Sequence, residues 1–493
     1  MKKYILIFLV AVFNQAMAQS TADFKIIPKA QLLQDLNILE SNLQQVHAGL
    51  YTYNSRERFN AFFNEIRTNL VDMTGIEFYR QVAPVLQLIK NGHTQVFAPG
   101  EWQDYIEIAD KLLPFDVYFI AEELYVIRNM SDASAIQAGD KILAINDQPM
   151  AEILKTLRSR WTSDGDNTTL PDKVIAEDFR KHFALNYGLN DDFKIEFVNA
   201  TGAEQAIQIP ALSNQRILEK AFTKYNYKPL TSEDWKAIDK LKFTVKDDHA
   251  VLKVPTFELS AKGENGKSFK RFYQDCFQTI QDKKVQTLVL DLRDNGGGEP
   301  KHQVELLKHL FDDPFFLYQD AYSITNKIAD KAYYYREFPN KLFTSKLALK
   351  KRDSVFVARR WIKRKAEGVK SKQITPFNNV FKGKLYVLIN GWSFSATGET
   401  AALLKAKRPD TIFIGEECGG NAKECTSGLK LFLTLPHSKV TFLMPFIKYV
   451  LDIDTQNTHH GVIPDFKLTE TLGDILAKED SVLDWTISHI QSQ

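Results

Sequence analysis

From Lys29 to about Leu112 apolar side chains recur every three to four positions, the spacing of one helical face. Gln31–Leu39, Arg58–Leu70 and Phe78–Ile89 therefore read as amphipathic helices. The series ends at Lys90-Asn91-Gly92-His93-Thr94, where Gly92 is a helix stop. From about Pro114 the period changes to two. Val117–Ile120 and Leu124–Arg128 are predicted strands, Met150–Leu157 starts a helix, and Phe193–Val198 and Ala206–Ile209 are predicted closing strands. Arg158–Leu189 is left over as an insertion. Ser213–Lys246 is mixed and basic and reads as a linker with some helix. From Ala250 strands and helices alternate: Val251–Pro255, Lys267–Gln281, Val285–Leu292, Gln303–Phe311, Phe316–Ile324, Leu385–Ile389, Ser395–Ala406 and Thr411–Gly415. Val285–Leu292 has the unbroken apolar core of a parallel strand covered on both faces. The chain thus reads as multidomain α/β: an N-terminal helical domain at 19–112, a β-rich domain at 113–212, a linker at 213–247 and an α/β core at 248–493. An insertion around 326–379 interrupts the core. Its basic run Arg359–Lys365 reads as a solvated helix face before a substrate-facing cap.

Composition bounds the rest. A chain of 493 residues is too long for one core, and 44% hydrophobic with 25% charged residues is a globular balance. The formal net charge of +2 argues against nucleic acid as a partner. Met1-Lys2-Lys3, the apolar run Tyr4–Phe13 and Ala16-Met17-Ala18 form the pattern of a signal peptide at 1–18, cleaved after Ala18. The expectation is a bacterial exported protein, periplasmic or secreted, with no integral membrane segment in the mature chain. Cys276, Cys418 and Cys425 are not a disulfide scaffold. Cys418 and Cys425 flank a glycine-containing loop that an oxidising compartment could bridge; three buried thiols are the plainer reading.

Two motifs carry chemistry. In one, strand Leu288–Leu292 runs into Arg293-Asp294-Asn295-Gly296-Gly297-Gly298; in the other, strand Leu385–Ile389 runs through Asn390-Gly391-Trp392-Ser393-Phe394-Ser395 into a helix. Glycines at the end of a buried strand let backbone N–H groups approach a ligand closely. A serine opening a helix sits beside free N–H groups and a partial positive charge. Gly296, Gly297 and Ala396 are therefore candidate backbone donors to an oxyanion, and Ser395 a candidate nucleophile. The plain alternative is that Ser393 or Ser395 only caps the helix. No Gly-x-Gly-x-x-Gly spacing is present, and no cofactor is implied. His459-His460 lacks the carboxylate or thiol spacing of a metal site, so no metal is expected.

Ala138-Gly139-Asp140-Lys141-Ile142-Leu143-Ala144-Ile145-Asn146 resembles the turn and strand of a PDZ domain, a module that binds extended peptides, often by the C-terminus, by adding a strand to a sheet edge. Asp291-Leu292-Arg293-Asp294-Asn295-Gly296-Gly297-Gly298 and Ser393-Phe394-Ser395-Ala396-Thr397-Gly398-Glu399 resemble the S41 peptidase family, the C-terminal processing and tricorn-like serine proteases. Phe413-Ile414-Gly415-Glu416 and Gly461-Val462-Ile463-Pro464-Asp465 resemble two further signatures of that family. The resemblance implies a ClpP/crotonase-like α/β protease core, with Ser395 as nucleophile. Processing members use a lysine in a Gly-Lys-Gly loop; here Asn421 stands at that position, as in the tricorn-like branch, which relies on histidine. Asn91-Gly92-His93-Thr94 resembles the Gly-His-Thr/Ser motif of that branch, so His93 is the expected base. A third group should orient the histidine. Gly92 occupies the position of the branch's serine and no glutamate precedes Gly461, which leaves Thr94, Asp452 and Asp454 as candidates.

The expected function is a serine-type peptidase, Ser–His rather than Ser–Lys, acting on a peptide or protein substrate whose C-terminus the PDZ-like domain would hold. Two alternatives stand beside it. One is a catalytically inactive S41-like protein that binds peptides or apolar ligands; the other is a scaffold whose working part is the PDZ-like domain.

Overall fold

The computed structural model describes residues 24–228, 230–246, 248–328, 331–334, 349–358 and 373–493. The leader at 1–18 and the run Arg359–Lys365 lie outside the described residues. Among the described residues no helix is long and apolar enough to cross a membrane.

Three sheets organise the chain. The first is six-stranded, in the order Phe466–Lys467, Ile412–Gly415, Lys384–Ile389, Thr287–Asp291, Ala250–Lys253, Lys242–Val245. All neighbours are parallel except the last pair. Its two central strands read Thr-Leu-Val-Leu-Asp and Lys-Leu-Tyr-Val-Leu-Ile and are buried almost throughout. Helices cover the sheet, among them Phe269–Asp282, Pro300–Leu307 and Ala396–Lys407 on one side and Ser481–Gln491 on the other. Candidate chemistry therefore gathers at the C-terminal ends of two adjacent parallel strands, where open α/β sheets bind ligands.

The second sheet is antiparallel. Its spine is Thr441–Leu451, paired with Glu424–Thr434, with Tyr318–Ser323 and with the short strand Gln95–Phe97. Strand Thr441–Leu451 leaves no period-two signature in the sequence, because Phe442–Tyr449 is buried on both faces. The third sheet spans Phe115–Ile120, Glu123–Asn129, Lys141–Ile145, Asp192–Val198 and Glu204–Pro210, all antiparallel, with its own buried cluster.

The N-terminal helices Lys29–Val46, Arg56–Asn69 and Gly75–Val82 do not close a core of their own. Their buried face, including Leu36, Leu43, Phe63 and Val82, is continuous with Leu290, Leu403, Phe442 and Met444 of the α/β part. The segment read as a linker contributes helices Asn214–Tyr225 and Ser232–Ile238 and the edge strand Lys242–Val245. Within 158–189 lie helices Thr169–Glu177 and Phe179–Tyr187, preceded by a loop that returns to the α/β part.

One ion-pair group fixes the glycine loop to the sheet. Arg293 is buried, donates to both oxygens of Asp291 at 2.9 Å and to both oxygens of Asp480 at 2.7 Å. Asp291 is itself 1% exposed. Arg293→Ala leaves that buried carboxylate with only the backbone N–H of residue 293 at 3.1 Å and Lys253 Nζ at 3.7 Å, and is expected to lower the unfolding free energy by about 3 kcal/mol in a denaturant titration.

Candidate active site

The two motif loops are stitched together. Ser393 Oγ donates to Leu292 O at 2.9 Å and accepts from Asn390 N at 3.0 Å; Phe394 N donates to Asn295 O at 3.1 Å; Asn390 Nδ2 donates to Asp294 Oδ1 at 2.9 Å. Ser393 is thus consumed in structure. Ser395 is not: its hydroxyl makes no capping bond to the helix it opens. Its backbone stands at φ 57° and ψ −127°, a region that non-glycine residues avoid. A strand–turn–helix that strains its serine in this way projects the hydroxyl out of the turn.

The glycine loop lies against that serine. A Cβ placed on Gly297 would sit 2.8 Å from Ser395 Cβ, 2.8 Å from Phe394 O and 3.0 Å from Ala396 N, and φ there is 96°. Only glycine fits. The N–H of Gly297 donates to Asn295 Oδ1 at 2.9 Å, whereas that of Ala396 has no partner among the described residues. Gly296 precedes Gly297 in the same loop.

His93 arrives from far upstream. It sits between helix Leu86–Ile89 and strand Gln95–Phe97, and that strand is carried to the site by pairing with Thr441–Leu451. Its Nε2 lies 3.0 Å from Ser395 Oγ across 302 sequence positions. The ring stacks on Phe394, with centroids 4.5 Å apart. Gly92 makes room for that stack, since a Cβ there would meet Phe394 Cζ at 2.8 Å; a serine at position 92 would have to displace the ring. Burial, with a smaller contribution from the Lys430 charge, holds the His93 pKa well below its ordinary value. The ring is therefore neutral near pH 7, the state a base requires.

Behind the ring stand two groups from different parts of the chain. Cys425 Sγ lies 3.6 Å from His93 Nδ1. The carboxylate of Asp164, a His93 ring nitrogen and Cys425 Sγ all fall within 4.8 Å of one another. Asp164 is 2% exposed; its Oδ1 accepts from Asn91 Nδ2 at 2.7 Å and Gly92 N at 2.9 Å, while its Oδ2 has no partner among the described residues. Burial pushes the Asp164 carboxyl up to about 7, against those two hydrogen bonds, and raises the Cys425 thiol well above its usual range.

The other candidates stand elsewhere. Thr94 Oγ1 donates to Asn91 Oδ1 at 2.8 Å and meets His47 Nε2 at 2.7 Å. Gly49 N donates to His47 Nδ1, so Nε2 carries the proton, and a buried relay runs His47–Thr94–Asn91–Asp164 beneath the His93 loop. Asp452 pairs with Lys407 at 3.3 Å, and among the described residues no hydrogen bond or ion pair joins it or Asp454 to His93. Asn421 closes a turn, accepting from Lys423 N and Glu424 N and donating to Thr458 O. Cys418 and Cys425 are separate buried thiols, with no bridge between them. His459 and His460 face Asp166 and Glu417 at the surface.

Asp164 was hidden from sequence reading because it belongs to the stretch that exceeds the β-rich pattern. Its loop is pinned to the α/β part by Gly420 N to Ser163 Oγ at 2.8 Å, Asn167 Nδ2 to Cys418 O at 3.1 Å and Thr169 Oγ1 to Glu417 O at 2.9 Å. Cys425 was visible only as half of a hypothetical bridge.

Residues 248–468 match peptidase family S41. That stretch is similar to an S41 peptidase domain. Among solved structures, mature CPAF complexed with lactacystin aligns with a TM-score of 0.60 at 16% identity, over 94% of this chain and 99% of that one. Mature CPAF alone aligns with a TM-score of 0.58 at 17% identity, over 92% and 95%. At these identities the likeness is one of fold. No curated protein matches the sequence significantly. The matched residues contain Ser395, the glycine loop and Cys425, whereas His93 and Asp164 reach them from outside.

Proposed function

We propose that the chain is an exported serine peptidase of the Ser–His type, with Ser395 as nucleophile and His93 as general base. The observation that carries this reading is the 3.0 Å approach of a neutral, buried imidazole to a strained serine hydroxyl that caps nothing. A serine hydroxyl is a poor nucleophile until a base removes its proton. His93 Nε2 accepts that proton as Ser395 Oγ attacks the peptide carbonyl, then returns it to the leaving amine; water, activated by the same nitrogen, releases the acyl group.

For Nε2 to accept, the ring proton resides on Nδ1, where it points at Cys425 Sγ. The imidazolium formed during attack lies beside Asp164, whose unpartnered oxygen is the buried acceptor that can answer the charge once ionised. The oxyanion forms beside the Ala396 N–H and the glycine loop. Gly297 joins by sharing its N–H between Asn295 Oδ1 and the oxyanion, with Gly296 shaping the approach; one such donor is worth about 3 kcal/mol.

The sheet at 113–212 takes the PDZ-like role in this proposal, holding a substrate chain end as an added strand. Its loop at 163–169 also walls the active site, so the part that gathers substrate and the part that cleaves it are mechanically joined. The leader at 1–18 accounts for export. A direct test is to incubate the purified mature chain with a mixed peptide library and follow intact peptides by mass spectrometry. Cleavage is expected, lost in Ser395→Ala; cleavage that survives in that variant overturns the assignment.

A further inference from the structure

The groups behind the His93 ring have the composition of a transition-metal site. They offer one imidazole nitrogen, one thiol sulfur and one carboxylate oxygen, within 4.8 Å of one another and each on a side chain more than nine-tenths buried. Two observations point to a ligand there rather than to accidental crowding. Asp164 Oδ2 is a buried acceptor without a donor among the described residues, an expensive state for a polar atom. The spacing of Cys425 Sγ and His93 Nδ1, 3.6 Å, equals the edge of a tetrahedron built on Zn–S and Zn–N bonds of about 2.3 and 2.1 Å, which is about 3.6 Å.

We infer that His93 Nδ1, Cys425 Sγ and Asp164 Oδ2 form an inhibitory site for a borderline divalent cation of the Zn²⁺ class. The nitrogen–sulfur pair disfavours Mg²⁺ and Ca²⁺, which take oxygen ligands. Three protein ligands leave a fourth position for water.

The consequence follows from the tautomer. A cation on Nδ1 uses the lone pair that the resting ring keeps protonated, so the ring proton must reside on Nε2. Nε2 then donates to Ser395 Oγ and cannot accept from it. Binding releases the Cys425 thiol proton to solvent, together with any proton held by Asp164; the imidazole keeps one proton, moved to Nε2 through solvent exchange. The cation thus blocks the base without touching the nucleophile. That consequence for turnover rests on the peptidase reading; the binding itself does not.

The experiment separates the two. Ser395→Ala protein, with the leader removed, is titrated at equilibrium with Co²⁺ and then with Zn²⁺. One equivalent of Co²⁺ is expected to produce thiolate-to-metal charge-transfer absorption and tetrahedral visible bands, both displaced by Zn²⁺ and erased by chelator, with no competition from Mg²⁺ or Ca²⁺. Adding Cys425→Ser should abolish the charge-transfer band, and adding Asp164→Asn, a near-isosteric change, should weaken binding by about tenfold or more. Absence of a thiolate band in Ser395→Ala protein, or equal affinity in the Asp164→Asn variant, overturns the site. Zn²⁺ binding that leaves turnover of the wild-type enzyme unchanged overturns the inhibitory role. A Co²⁺ signal in a chain whose wild type cleaves no peptide supports the site and refutes the peptidase reading instead.

Discussion

Ser395→Ala and His93→Ala are each expected to reduce kcat/KM for a cleavable peptide by at least about 10⁴-fold, and the double variant is expected to be no worse than either single one. The reason is geometric. The two groups act on one proton over a 3.0 Å contact, so removing either end removes the whole relay. KM should change far less than kcat, since neither side chain is required to hold the peptide backbone before attack. Losses that multiply in the double variant would mean that the serine and the imidazole work independently. Thermal unfolding of each protein provides the control. Ser395→Ala should also relieve part of the positive-φ strain only if the turn relaxes, and the bonds from Ser393 and Phe394 to Leu292 and Asn295 hold it in place.

Gly297→Ala is expected to cost about 10²–10³-fold in kcat, the scale of one lost oxyanion donor. The added methyl would sit 2.8 Å from both Ser395 Cβ and Phe394 O, on a backbone at φ 96° that alanine resists. The loop must move away from the nucleophile turn, carrying its N–H with it. Steady-state kinetics against the same peptide checks this, and an alanine variant with unchanged kcat would remove the glycine loop from the oxyanion account. Covalent labelling of Ser395 should be less affected than turnover, because the methyl perturbs the cradle and not the 3.0 Å approach of His93.

The parts legible in sequence were the local ones. A buried strand running into three glycines, and a second strand turning through Ser395 into a helix, are patterns in which neighbouring residues decide the conformation. Both strands stand side by side at the centre of the parallel sheet, between Ala250–Lys253 and Ile412–Gly415. What composition and period could not show was partnership. The N-terminal helices announce an apolar face but not what covers it, and it is covered by the α/β part rather than by one another alone. Strand Thr441–Leu451, the partner of the strand that holds Cys425, hides because a strand buried on both faces has no alternation. His93 was reachable only through a family resemblance, since a lone histidine in a loop has no distinguishing period. Asp164 had no signal at all: it comes from excess length beside the third sheet, and only the chain's return to the α/β part makes it a neighbour of the imidazole. Thr94 is adjacent in sequence to His93 but its hydroxyl points into the relay below, a reminder that adjacency along a loop places side chains on different sides.

If His93 activates Ser395, the serine should be nucleophilic only while the imidazole is present. The most direct measurement is the rate at which a fluorophosphonate probe modifies Ser395, located by peptide mass spectrometry, in wild-type protein and in His93→Gln. Modification is expected to be confined to Ser395 in the wild type and nearly absent in His93→Gln, with both proteins folded. Equal labelling of Ser395 in the two proteins, or none in the wild type, would contradict that activation.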